Sequence, residues 1–176
     1  MEIKCDYDLS KKEHEELLEL LMESFPGYFK DRLYFKNIPA FRVLERVKER
    51  VIAHAGVDYR VIHSQKNGPL SIFGIVDLCV CKDHQNKGIA GKIISFIKDL
   101  AQKKSIDALV LFADDHPFYL KHGFENNSVT CRFLAIEDLS SVCVLEKDMS
   151  DCFMIRSLHT NLSFQNDHID MLGPVF

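Results

Sequence analysis

The residues best suited to chemistry cluster between Asp77 and Lys92, in the stretch DLCVCKDHQNKGIAGK. A short apolar run ends there and an amphipathic helix begins. The junction carries Gly88, Ala90 and Gly91, the smallest residues available. Glycine costs roughly 1 kcal/mol relative to alanine inside a helix, so bare backbone must serve another purpose here. The first amides of a helix have no intrahelical acceptor, and the helix dipole adds partial positive charge at that end. Small residues let an anion approach those donors closely. Lys87 and Lys92 flank the segment and add cationic character. The chemistry this favours is binding of a phosphate or pyrophosphate. The alternative is that the glycines only let helix and strand pack closely. A magnesium-nucleotide loop of the type G-x-x-x-x-G-K-[ST] is absent, because Gly88 and Gly91 are too close and Ile93 stands where a hydroxyl must hold the metal. The dinucleotide pattern G-x-G-x-x-G is absent as well. Just upstream, Asp77 interrupts the apolar run FGIVDLCVC. A carboxylate in such a run needs a reason to be there.

The elements that must position these residues follow from periodicity. MEIKCDYD reads as a short first strand, and LSKKEHEELLELLMESF as a helix with Ser10 and Glu13 forming a capping box. YFKDRLYFKNIP reads as a second helix, closed by Asn37 and Pro39. FRVLERV, RVIAHAGVDYRVIHS and LSIFGIVDLCVC are rich in Val and Ile and read as three consecutive antiparallel strands, with Asn67-Gly68 as a hairpin turn. The helix after Gly88 places Ile89, Ile93, Ile94, Ile97, Leu100 and Ala101 on one face. IDALVLFA is almost wholly apolar, as expected of a strand covered on both faces. HPFYLKHGF reads as a short helix starting near Pro117 and capped by Gly123. VTCRFLAI and DCFMIRSLH read as late strands. The order predicts an α/β or α+β sheet with helices packed on it, in one domain spanning residues 1–176.

The chain has 176 residues, 47% hydrophobic and 27% charged, and a formal net charge of −4. That balance argues against nonspecific nucleic-acid binding, which calls for a basic face. No apolar run approaches the roughly 20 residues of a membrane helix. The acidic start lacks the features of a signal peptide, so a cytoplasmic location is expected. Of six scattered cysteines, Cys79, Cys81, Cys131, Cys143 and Cys152 sit in apolar, strand-like surroundings, and the eight histidines show no metal-ligand spacing. No metal is expected.

With the elements in order, two segments carry a resemblance. QNKGIA, Gln85 to Ala90, resembles the Q/R-x-x-G-x-G/A acyl-CoA motif of the GCN5-related N-acetyltransferases (GNAT). FYLKHGF, Phe118 to Phe124, resembles the aromatic-Tyr-x-x-x-Gly-Phe element of the same family. The resemblance implies an α/β (α+β) fold with a mixed, largely antiparallel sheet of six to seven strands. That sheet is splayed at its centre and flanked by about four helices, with acetyl-CoA wedged in the gap. It implies that the segment Gln85, Asn86, Lys87, Gly88, Ile89, Ala90, Gly91 and Lys92 binds the cofactor pyrophosphate. It implies that the backbone of Leu78, Cys79 and Val80 pairs with the pantetheine arm.

The reaction so implied moves an acetyl group from a thioester to an amine. An alkylamine is mostly protonated at neutral pH, so the site wants a base, and the leaving thiolate wants an acid. Tyr119 matches the family tyrosine aimed at the thioester sulfur and is expected to be the acid. Asp77 is the expected base, since burial would raise its pKa toward a useful value. Asp114 or Asp115 could serve instead, although these two are expected to cap the following helix. His54, in VIAHAG, belongs to a strand that should flank the cleft, and it is carried as a substrate contact beside a purely structural role. A narrower likeness is to the aminoglycoside 2′-N-acetyltransferases, in RVIAHAGVDYRVI, FGIVDLCV and the ending HIDMLGPVF. It implies that Asp77 and Asp170 contact an amine substrate, and that the tail over residues 157–176 folds back over the pocket. Met171 departs from that group, which has tryptophan there.

The expected activity is acetyl-CoA-dependent N-acetylation of a small amine, polycationic amines included, in a ternary complex. Its rivals are acylation of a protein or peptide amine, transfer of a longer chain, and an inactive acyl-CoA sensor. A homodimer is compatible with the resemblance, and no interface segment is legible.

Overall fold

In the computed structural model, which describes residues 1–176, ten strands join one mixed sheet and three α-helices accompany it. The chain divides into two compact units, each assembled from separated stretches. One comprises Met1–Asp58 and Ile75–Asp99; the other comprises Tyr59–Gly74 and Leu100–Phe176. They are called the first and second unit below.

The first unit begins with strand β1 (Glu2–Lys4) and a 3-10 turn (Asp6–Asp8). Helix α1 (Lys11–Ser24) starts at Ser10, whose side chain accepts from the Glu13 amide while the Glu13 carboxylate accepts from the Ser10 amide. Each such cap is worth about 1 kcal/mol. Leu17, Leu20 and Leu21 of α1 are buried against Phe29, Leu33, Leu44, Val51 and Cys79. Each of the larger apolar side chains contributes about 1.5–3 kcal/mol when fully buried. Strand β2 (Phe41–Val47) pairs antiparallel with β1 and with β3 (Arg50–Ser64). Gly56 in β3 is required by close approach: a Cβ there would sit 2.6 Å from the Val76 side chain.

The expected second helix is not formed. Residues 28–39 are turns and bends. Phe29 and Leu33 still anchor the segment in the core, but the Leu33 carbonyl accepts from the Arg42 guanidinium. That commitment replaces an intrahelical bond, and the run of Phe and Tyr gives little helical propensity to oppose it.

The expected hairpin is present. Strand β3 ends at Ser64 and β4 (Gly68–Val80) begins at Gly68, whose φ of +77° suits only glycine well. Strands β3 and β4 run from one unit into the other. In the second unit β4 pairs in parallel with β5 (Ala108–Phe112) over Ile72–Gly74 only, although β4 continues to Val80. Helix α2 (Ile89–Lys103) precedes β5, and α3 (His116–Lys121) follows it.

The later strands are β6 (Glu125–Asn126), β7 (Val129–Glu137), β8 (Ser140–Asp148), β9 (Phe153–Ser157) and β10 (Asp167–Asp170). The sheet order is β6-β9-β5-β4-β3-β10-β7-β8. The core of this unit gathers Ile62, Ile72, Val110, Phe153, Ile155 and Ile169. Ten strands and three helices replace the six to seven strands and four helices expected. The additions are short or exposed strands with weak signals: every residue of β8 is exposed.

The tail is built into the sheet. Strand β10 lies parallel to β7 and antiparallel to β3, and its extension continues through Met171 N–H to Arg132 O (2.8 Å) and Leu134 N–H to Gly173 O (2.9 Å). The Phe176 ring lies where a side chain at Gly74 would stand, with the Phe112 ring 5.5 Å away and the Arg60 guanidinium 5.3 Å from its centroid.

Candidate active site

The glycine segment presents unpaired main-chain donors. The first intrahelical bond of α2 runs from Lys92 N–H to Gly88 O at 3.1 Å. The amides of Gly88, Ile89, Ala90 and Gly91 therefore precede the helical ladder, and no protein acceptor takes them. Gly88 has φ +74° and nothing within 4 Å of where a Cβ would point. Space and donors coincide. Asn86 also adopts a left-handed backbone (φ +58°), a conformation Asn tolerates.

The flanking side chains lock the loop rather than fill it. Gln85 turns its amide back to the Val80 carbonyl (2.9 Å), and Lys87 Nζ donates to the Asp83 carbonyl (2.7 Å). The Val80 acceptor expected to face the cofactor arm is thus already in use. Cys81 N–H bonds to Ile52 O, and Cys81 Sγ lies 3.2 Å from His84 Nδ1. That thiol–imidazole contact had no signal in the spacing of the two residues.

Asp77 stands on β4 with φ +51°, a left-handed residue in mid-strand. Burial raises its pKa to about 6, against the opposing pull of the Arg42 guanidinium. A carboxyl poised there is ionised at neutral pH and accepts a proton readily, as a general base requires. Leu78 and Val80 are half-buried and Cys79 is buried. Burial is also the main cause that pushes the Cys79 thiol up to about 12, so it is no nucleophile.

His54 lies on β3 as expected and takes the structural role weighed beside substrate contact. It is fully buried, and both ring nitrogens are engaged within the protein. Burial, with help from Arg42, lowers its pKa to about 3. A ring so enclosed does not contact a substrate; it supports the strand beneath Asp77.

In the second unit, Tyr119 lies on α3, half-buried, with the Phe118 ring at 5.0 Å and the Phe124 ring at 5.8 Å. Burial, and then the Asp115 charge, push its hydroxyl up to about 12. It therefore stays protonated and able to donate. Helix α3 ends as expected: Gly123 has φ +75° and Arg156 Nη1 donates to the His122 carbonyl. Its start differs. Asp115 occupies the N-cap position but its side chain makes no capping bond, and the Asp114 backbone carbonyl accepts from His116 N–H instead (3.0 Å).

Asp170 lies on β10 opposite His63, in a groove of about 210 Å³ lined also by Thr130, Arg132, Glu146 and His168. Its carboxylate is already engaged, by Arg132 at 3.4 Å and by the Leu172 amide at 2.9 Å. An amine would have to displace Arg132. None of the cofactor-segment residues lines this groove. No cluster of three His, Cys, Asp or Glu is arranged to hold a metal ion.

Residues 40–126 match the family model described as "Acetyltransferase (GNAT) domain". No curated protein matches the chain in sequence. Among solved structures, the GNAT family N-acetyltransferase YhbS from Escherichia coli, determined in complex with CoA, superposes with a TM-score of 0.62 at 14% identity, covering 95% of this chain and 88% of that one. An aminoglycoside 6′-N-acetyltransferase complexed with coenzyme A gives 0.61 at 11% identity, over 93% and 100%. Eis1 from Mycobacterium abscessus gives 0.58 at 14% identity over 73% of this chain, which spans about a third (33%) of the length of Eis1. At these identities the likeness is one of fold. The segment matched by the family model contains both motifs, the unpaired amides at Gly88–Gly91 and the hydroxyl of Tyr119. Residues 40–126 thus match a GNAT acetyltransferase domain, and the proteins of that family are acyltransferase enzymes whose usual cofactor is acetyl-CoA.

Proposed function

We propose that this protein binds acetyl-CoA through the Gly88 segment and transfers the acetyl group directly to a primary amine of a small, cationic acceptor in the cytoplasm, with the whole chain serving one acetyltransferase. The observation that carries this reading is the set of unpaired amides at Gly88, Ile89, Ala90 and Gly91 beside open space at Gly88. Such a cradle suits a diphosphate. Lys87 and Lys92 add charge at its rim, and Gln85 and Asn86 shape the turn that leads into it. The amides and carbonyls of Leu78, Cys79 and Val80 line the approach along β4. The Val80 carbonyl already accepts from Gln85 and has one lone pair left for the cofactor arm.

In the transfer, the carboxylate of Asp77 takes a proton from the acceptor ammonium, directly or through water. The free amine attacks the thioester carbonyl, the C–S bond breaks, and the Tyr119 hydroxyl gives its proton to the departing sulfur; the surplus proton on the new amide nitrogen passes through water to the tyrosinate, which restores the hydroxyl. The two pKa directions suit these roles: about 6 for the group that must accept and about 12 for the group that must arrive protonated. Asp170 contributes to acceptor binding only where the amine replaces its Arg132 partner.

Two measurements test the reading. Thermal shift with acetyl-CoA, CoA and ATP should show stabilisation by the first two and none by ATP. Thiol release from acetyl-CoA on a panel of a diamine, a polyamine, an aminoglycoside and a peptide should reveal the acceptor class. Binding without turnover on any amine would make the protein a sensor, and turnover on the peptide alone would move the acceptor to proteins. Tyr119→Phe should lower kcat by about 100-fold while leaving acetyl-CoA affinity unchanged. Equal losses in both would remove the acid role.

A further inference from the structure

The first unit contains a buried polar line that acyl transfer does not itself explain. It begins at Asp6, whose carboxylate takes two bonds from Arg42: Nε to Oδ1 at 2.7 Å and Nη2 to Oδ2 at 2.9 Å. Arg42 is fully buried, and Nη2 also donates to the Leu33 carbonyl at 2.8 Å. Its remaining arm, Nη1, reaches His54 Nε2 at 3.0 Å. The other ring nitrogen, Nδ1, lies 3.0 Å from the Asp77 carbonyl oxygen.

The tautomer follows from valence. A guanidinium has donors only, so Nε2 must accept and Nδ1 must carry the hydrogen. That hydrogen points to the Asp77 carbonyl, which can only accept. A protonated ring would set N–H against N–H at Arg42, and burial keeps the ring neutral. The polarity of the line is thus fixed from Asp6 to Asp77. At its end stands a non-glycine residue with φ +51°. Such a conformation costs on the order of 1–3 kcal/mol and persists where surrounding contacts over-determine it. A side-chain bond to the carbonyl of that residue is such a contact.

We propose that Arg42 and His54 are positioning residues: the imidazole Nδ1–H ties down the Asp77 carbonyl and holds the left-handed turn from which the Asp77 carboxyl is presented, while Asp6 and the Leu33 carbonyl hold Arg42 in place. The proposal rests on the reading of Asp77 as the base. Stability alone does not call for this chemistry, since apolar replacements of buried ion pairs are often neutral or stabilising. Of the groups around Asp77, Arg42 from β2 acts on the carboxyl, His54 from β3 meets only the backbone carbonyl, and Cys79 on β4 feels the Asp77 charge. Of these only Arg42 is charged at neutral pH.

The test uses the full chain with carbon-13 in its aspartates, assigned with Asp77→Asn. His54→Gln can still accept from Arg42 and donate to the Asp77 carbonyl; His54→Leu can do neither. The expected result is that the Leu variant loses the left-handed Cα shift of Asp77, moves the carboxyl titration midpoint, and lowers kcat by about 10- to 100-fold. Its KM for acetyl-CoA should stay near wild type. The Gln variant should recover the shift and most of the rate. Should the Leu variant not fold, Asp6→Asn, which loosens Arg42 from outside, should give the same changes in smaller measure. A folded Leu variant with an unchanged Cα shift and midpoint overturns the proposal, and so do equal losses in the Leu and Gln variants. Full activity in Asp77→Asn would instead overturn the base assignment, leaving the Cα shift of the His54 variants to decide the backbone role separately.

Discussion

The Gln85–Gly91 segment and the Asp6–Arg42–His54 line lie in the same unit and treat polar groups in opposite ways. In the segment, four consecutive amides are left without acceptors near the surface. In the line, every nitrogen of a buried guanidinium and a buried imidazole has a partner within 3.0 Å. An unpaired donor near water costs little and is free to take a ligand. An unpaired donor in the interior costs about 1–3 kcal/mol, so the interior spends its donors on geometry. In the function proposed, ligand binding falls to the first region and alignment of a reacting group to the second.

The largest effect should come from breaking the open region. Gly88→Glu places a carboxylate where the anion would sit, on a backbone of φ +74° that disfavours any side chain. Acetyl-CoA affinity measured by calorimetry should fall by about 1,000-fold or more, a loss of about 4 kcal/mol or more. Thermal stability should drop by about 1–2 kcal/mol from the left-handed backbone alone, with no steric clash added, since nothing lies within 4 Å of the new Cβ. Retained affinity would mean that the cofactor is held elsewhere.

Breaking the end of the buried line should give the next effect, with a sign that depends on pH. The Asp77 pKa is raised in the folded protein to about 6 from an ordinary 3.8, chiefly by burial. The native state therefore holds this proton more tightly than the unfolded chain. The stability linked to it is present at pH below the unfolded value and is lost as pH rises to about 6. Above that, the buried charge costs about 3 kcal/mol. Asp77→Asn removes the charge and keeps a residue that tolerates a left-handed backbone. It should be more stable than wild type in denaturant at pH 8, show little difference at pH 3.5, and lose most of its turnover. A variant equally stable at both pH values would mean that the carboxyl is solvated and unfit as a poised base.

The two regions also differ in how far the sequence revealed them. The open segment was legible because it is local: glycines at a helix start, a strand before and an apolar stripe after all lie within about thirty residues. The capping box at Ser10, the Asn67-Gly68 hairpin and the apolar β5 were legible for the same reason. The buried line was not. Arg42 in FRVLERV looks like a solvated arginine on a strand, because its carboxylate partner lies 36 residues earlier. His54 was left between a substrate contact and a structural role because alternation assigns a face and not what covers it. The lost helix at residues 28–39 has the same origin, since Arg42 takes the Leu33 carbonyl. Strands β8 and β10 were missed because one is exposed throughout and the other spans four residues of a polar tail.

The smallest expected effect sharpens the contrast within the open region itself. If main-chain amides hold the diphosphate, the lysines at its rim contribute only screened, long-range attraction. Lys87 already gives its Nζ to the Asp83 carbonyl, on an exposed side chain. Lys87→Ala should therefore weaken acetyl-CoA by about 0.3–1 kcal/mol, a factor of two to five at low salt. The difference from wild type should fade as ionic strength rises and the Debye length shrinks below about 8 Å. A loss as large as that of Gly88→Glu would reverse the assignment. The lysine would then be the principal phosphate ligand, and the backbone at Gly88 would merely give it room.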